Sequence, residues 1–276
     1  MDIQTIFILI QKELRDARRN QWFLLYTIAF AILSLALAWF SLAGMGHYGL
    51  AGFGRTGASL VNLILLIVPL MGLTLGALGL TSERENGTLL YLLAQPINPK
   101  ELLLGKFLGL AIALMAALTL GFGLTGTLIA VYGGMSDVTT YLWLVGLAFL
   151  LAVVSLSLGF VVAAAVEKAA TAVGIALFLW LILVFVGDLG LMGTAVVLHF
   201  SADTLLWLSF LNPLQLFKTA AIYNFRNGLE MMGPAGIYAV RQYGTTLLPL
   251  LTILLIIWAS LPLLLTHRLF TRRGAL

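Results

Sequence analysis

Thr81–Lys106, TSERENGTLLYLLAQPINPKELLLGK, interrupts two long apolar stretches with acids, bases, Asn and two prolines. Such a polar island between uncharged segments displays a surface to a partner on one side of a membrane. The rest of the chain supports a bilayer. Of 276 residues, 61% are hydrophobic and 9% charged, with mean hydropathy +1.07, more apolar surface than a water-soluble fold of this length could bury.

Working outward from the island, six segments are long and apolar enough to cross a hydrocarbon core of about 30 Å as helices. They cover Trp22–Leu42, Ser59–Leu80, Phe107–Tyr132, Tyr141–Val166, Ala169–Leu189 and Thr246–Leu265. The first is too long for the apolar region of a cleaved signal peptide, so it reads as a signal anchor. The fold expected is an all-α integral membrane protein, with residues 1–276 forming one transmembrane domain.

Lys and Arg fix the orientation. With the N-terminus inside, Lys12, Arg15, Arg18, Arg19, Arg84, Lys100, Lys106, Lys168, Arg268, Arg272 and Arg273 are internal. Only Arg55, Lys218, Arg226 and Arg241 are external. That asymmetry predicts cytoplasmic N- and C-termini and a cytoplasmic island, and it removes Asn86-Gly87-Thr88 from glycosylation. The formal charge of +4 then reflects basic cytoplasmic loops, and no nucleic-acid recognition motif accompanies it.

Residues 1–20 place Ile3, Ile6, Phe7, Ile10 and Leu14 at helical spacing, with Lys12, Arg15, Asp16 and Arg19 mainly elsewhere around the helix. The pattern predicts an amphipathic helix along the inner membrane surface, a plain basic anchor being the alternative. Within the island, residues 81–106, Ser82-x-x-Glu85 has the form of a capping box, and Gly87 supplies a break. Thr88 is expected to cap a short helix over Leu89–Ala94, which Pro96 ends. Asn98-Pro99 then reads as the N-cap and first residue of the next helix.

The spacing E-x-E-x-G-T-L-x-x-L-L-x-x-P over Glu83–Pro96, followed by KELLLGK at Lys100–Lys106, resembles the first cytoplasmic loop of type-2 ABC transporter permeases. The whole chain also resembles the family plan: an interfacial N-terminal helix, six spans, and a larger external segment before the last span. Within the family it is most similar to the membrane subunit of the nitrous oxide reductase maturation transporter. The resemblance implies a coupling helix seated on a cytoplasmic ABC ATPase subunit, with Glu83, Glu85, Gly87, Thr88, Leu89 and Leu92 as its contacts. It also implies a homodimer in the bacterial inner membrane, surrounded by lipid, and a periplasmic copper-delivery subunit docking on residues 190–245. The task implied is assembly of the reductase's copper centres; export of a drug, lipid or peptide, or a non-transporting scaffold, are the alternatives.

Gly105-Lys106 lacks the upstream Gly and following Ser or Thr of a phosphate-binding loop. The chain is therefore read as a non-catalytic subunit binding no cofactor, with ATP and Mg held by the partner. With no cysteine, thiolate metal sites and disulfides are excluded. His47, His199 and His267 stand apart, near expected membrane boundaries. The external segment is read as short helices on the outer face. Glu167-Lys168 is read as a tight inner turn, and Gly72-x-x-x-Gly76 and Gly105-x-x-x-Gly109 as sites of close helix packing, with a homodimer interface among the possible uses.

Overall fold

The computed structural model describes residues 3–43, 52–89, 97–133, 138–187, 201–224 and 233–273. All regular structure among them is helical. Ten α-helices follow in order: α1 (Ile3–Arg19), α2 (Gln21–Ala43), α3 (Gly52–Glu85), α4 (Pro99–Gly133), α5 (Val138–Ala165), α6 (Ala169–Phe185), α7 (Ala202–Phe210), α8 (Pro213–Tyr223), α9 (Gly233–Tyr243) and α10 (Leu247–Arg273).

Five spans are long and apolar enough to cross a membrane: α2, α3, α4, α5 and α10 together with the end of α9. Helix α6, the fifth span expected from sequence, is a shorter apolar helix of 17 residues. Helices α7 and α8 form a pair bent by 115°, which would make a sixth crossing if taken as one broken span.

Local chemistry explains several boundaries. Asn20 separates α1 from α2, and its side-chain oxygen accepts from the backbone amides of Trp22 (2.9 Å) and Phe23 (3.3 Å), satisfying the free donors of a helix start. Asn98-Pro99 opens α4 as expected. The Asn98 amide donates to Glu101 (3.2 Å), its carbonyl accepts from the Leu102 amide (3.1 Å), and proline occupies the first helical position. Residues 166–168 make the tight turn expected between α5 and α6.

Small residues set the packing. A Cβ added at Gly72 would lie 2.6 Å from the Ser155 side chain, and one at Gly76 would lie 2.9 Å from the Gly159 backbone, so α3 and α5 touch almost backbone to backbone. On α4, an added Cβ at Gly105 would strike Leu9 and one at Gly109 would strike Glu13, each at 2.6 Å. The glycine pairs do permit close packing, but their partners are α5 and α1 of the same chain. Around these contacts lie edge-to-face aromatic pairs, Phe30–Phe122 and Phe107–Phe160, with ring centroids 5.1 and 5.5 Å apart.

The segment before α10 departs from expectation. Its short helices exist, but they do not simply lie flat over the spans. The break between α7 and α8 reaches inward: Asn212 Nδ2 donates to the Leu183 carbonyl of α6 (2.6 Å), and Trp258 Nε1 of α10 donates to the Phe210 carbonyl (3.3 Å). At 1.5 Å per residue, Leu183 stands about 21 Å along α6 from Ala169, and Trp258 about 22 Å along α10 from Arg273. The break thus meets α6 two residues before its end and α10 partway along its length. Helix α8 then climbs back, with one face buried, until Tyr223 Oη donates to the Gly244 carbonyl (2.9 Å). The dip is tolerable because Asn212 also accepts from the Leu214 amide (2.9 Å), leaving the turn's polar groups paired within protein.

Candidate coupling interface

Where the island begins, α3 does not stop at Ser82 as a capping box would require. It runs on through Glu85, and the Asn86 amide bonds the Ser82 carbonyl while the Gly87 amide bonds that of Arg84, both at 3.1 Å. Gly87, at φ 72°, ends the helix in the left-handed region that glycine enters without a steric penalty. Ser82 and Glu85 therefore belong to the last turn of one helix. Thr88 folds back, its hydroxyl donating to the Glu83 carbonyl (3.2 Å).

Three consecutive side chains leave that turn in different directions. Glu83 faces inward, its side chain 14% exposed, against Lys106 of α4 at 2.9 Å and Lys12 of α1. Lys106 Nζ, 2% exposed, also donates to Glu13 of α1 at 2.6 Å. Lys12 lies 3.5 Å from Glu13 and 3.6 Å from Asp16. Two cations and two largely buried carboxylates thus interleave across α1, α3 and α4, with Asp16 at the rim. Buried charges survive only when paired in this way. Burial lowers the Lys12 pKa, but the hydrogen bond and charge of Glu83, with Glu13 and Asp16, outweigh it and hold the ammonium above its ordinary 10.5. Lys12 stays charged at neutral pH.

Arg84 turns to α5, where Nη1 donates to the carbonyls of Val166 (2.7 Å) and Ala163 (3.3 Å) at the helix end. Glu85 accepts from the Ala169 amide (2.9 Å), at the first residue of α6. A cation thus meets the carbonyl end of one helix and an anion the amide end of the next, as the helix dipoles favour.

Of the residues expected to meet a partner, Glu85, Gly87 and Thr88 are exposed together with Asn86, and Leu89 is buried. Glu83 engages its own chain. Leu92 and most of the expected Leu89–Ala94 helix lie outside the described residues, as do His47 and His199. The sequence reading missed that Lys12, Glu13 and Lys106 join Glu83 in one group, and that Arg84 holds the end of α5. One signal was available: Glu13 sits at four-residue spacing between Leu9 and Ala17, the buried stripe of α1. The expected apolar stripe is only partly covered, with Ile3 and Phe7 exposed.

Residues 7–275 match the profile described as "ABC-2 family transporter protein". The chain is 33% identical over 276 residues to the "Probable ABC transporter permease protein NosY" of Pseudomonas aeruginosa, covering 97% of this chain and 98% of that one. It is 31% identical over 274 residues to the protein of the same description from Stutzerimonas stutzeri, with the same shares covered. With the match running nearly end to end through helices built to cross a membrane, the chain belongs to the ABC-2 family of transporter proteins, as a NosY-like permease.

Proposed function

We propose that this permease is driven by a separate cytoplasmic ABC ATPase, which seats on the island and turns ATP binding and hydrolysis into movement at the periplasmic face. The observation that carries the reading is the exposed turn Glu85–Thr88 at the tip of a helix whose preceding residues, Glu83 and Arg84, are tied to α1, α4 and α5. A loop that only joined two spans would need neither the anchoring nor the length. ATP and Mg belong to the ATPase, since this chain has no phosphate-binding loop. On this reading Glu85, Gly87, Thr88 and Leu92 serve the ATPase contact, while Glu83 and the buried Leu89 hold the loop's base in place. The island, both termini and the α5–α6 turn are cytoplasmic in a bacterial inner membrane. Two copies form the unit, α1 rests its uncovered Ile3 and Phe7 on lipid, and α6 counts as the fifth crossing.

The task proposed is copper-centre assembly of nitrous oxide reductase, with a periplasmic copper-delivery subunit docking near residues 190–245. Support comes from the resemblance of the island and from the two NosY relatives, each matched over nearly its whole length. Copurification of the ATPase with an Asn86→Lys/Thr88→Arg variant tests the central contact. The complex is expected to be lost while the permease still elutes as a folded species; undiminished association sinks the reading.

A further inference from the structure

The α5–α6 turn is only three residues long, yet a third helix grips both sides of it. A plain turn between antiparallel helices needs no such support. Arg84 holds the carbonyl end of α5 and Glu85 the first amide of α6, so the residue pair next to the exposed Asn86–Thr88 turn is bonded to both helices. About two-thirds of the way along α6, Trp180 Nε1 donates to the Leu66 carbonyl of α3 (3.0 Å). At its far end, the Leu183 carbonyl receives Asn212, and a Cβ at Gly187 would lie 2.7 Å from both Asn212 Nδ2 and Gln215 Nε2. Helix α6 is thus fastened to the island at one end and to the α7–α8 hairpin at the other.

We propose, resting on the reading that the ATPase moves the island, that Arg84 and Glu85 are positioning residues which make α6 the member carrying that movement to the hairpin turn at Asn212. A rigid helix transmits displacement only if its driven end is fixed to the driver. The Glu85 bond is that fixing at the first residue of α6, the Arg84 bonds hold the α5 side of the same turn, and the Trp180 bond ties α6 to α3 along its length.

The experiment uses the permease–ATPase complex in nanodiscs, with a nitroxide on Val186→Cys, an exposed position at the far end of α6 in a chain without cysteine. ATP with Mg is expected to change the spectrum of the labelled parent. Ala169→Pro deletes the amide that Glu85 accepts, at a first helical position where proline is tolerated and after a Lys168 already extended at φ −96°, ψ 133°. Combined with Arg84→Ala, it is expected to abolish the ATP-driven change at position 186 while ATPase copurification and ATP hydrolysis persist. Arg84→Lys alone, which still offers a donor to the carbonyls, is expected to keep the response. A full response in Arg84→Ala/Ala169→Pro overturns the proposal, and so does a parent that shows no ATP-driven change. Should the double variant fail to fold, Ala169→Pro alone decides, a reduced response supporting the proposal and a full one overturning it. Failure of the ATPase to copurify with the unsubstituted chain removes the reading of the island as well, which sets that outcome apart.

Discussion

Lys106 shows how much one buried charge can decide. Its ammonium neutralises Glu13 and Glu83 together, so Lys106→Met would leave a carboxylate without its cation in the interior. Breaking a buried pair from one side costs about 3–5 kcal/mol, whereas removing both partners costs less. Lys106→Met is therefore expected to lower the melting temperature in detergent strongly, and Lys106→Met/Glu13→Gln to recover part of the loss, because Lys12 and Glu83 then remain as a pair. An equal loss in both variants would mean that the charges do not act as a group. Sequence reading took Glu83 as an outward contact because the loop's resemblance to the permease family implied it. Its inward direction depends on Lys12 and Lys106, 71 and 23 positions away in the chain, which no local pattern reveals. Asn98-Pro99 was legible for the opposite reason: every partner of that cap lies within four residues.

At the scale of the element, α3 and α5 are held by contacts that cannot yield. A side chain at Gly76 would press on the backbone at Leu156 and Gly159, where no rotamer change relieves the clash. Gly76→Val is expected to destabilise the fold by roughly 1–3 kcal/mol as the helices separate, the cost typical of overpacking. By contrast, Gly146→Ala on α5, with nothing within 4 Å of its added Cβ, should leave the melting temperature unchanged or slightly raised. Equal effects at the two sites would count against the close crossing. The glycine spacing announced tight packing, yet it could not name the partner, since four-residue spacing describes one helix face and says nothing about what covers it. Ser82-x-x-Glu85 misled similarly. The same spacing occurs at a helix start and in a last turn, and the carboxylate's actual use lies across the chain at Ala169.

For the whole molecule, the spans were legible because lipid demands long uncharged helices, and α2 to α5 and α10 fall where hydropathy put them, with α3 extended at both ends, α4 at the island end and α10 at its C-terminal end. The dipping hairpin was not legible. Its placement depends on Asn212, Trp258 and Leu183 meeting from three separate segments, while the polar residues scattered through the segment before α10 read locally as an exposed surface. Orientation is checked directly in the cysteine-free chain. Asn86→Cys and Lys168→Cys are expected to react with a membrane-impermeant maleimide only in inverted vesicles, and Thr246→Cys only in right-side-out ones. Reaction of Asn86→Cys and Thr246→Cys from the same side would overturn the topology.

Glu83, Arg84 and Glu85 each serve a different neighbour from one helical turn, and this constrains insertions and deletions. One residue added to α3 between Gly76 and Glu83 would rotate all three by about 100° and shift them by about 1.5 Å, breaking the ion cluster and both end bonds together. A residue added just beyond Gly87 would disturb none of them. Length variation among relatives of this chain is accordingly expected after the glycine and not in the turn before it.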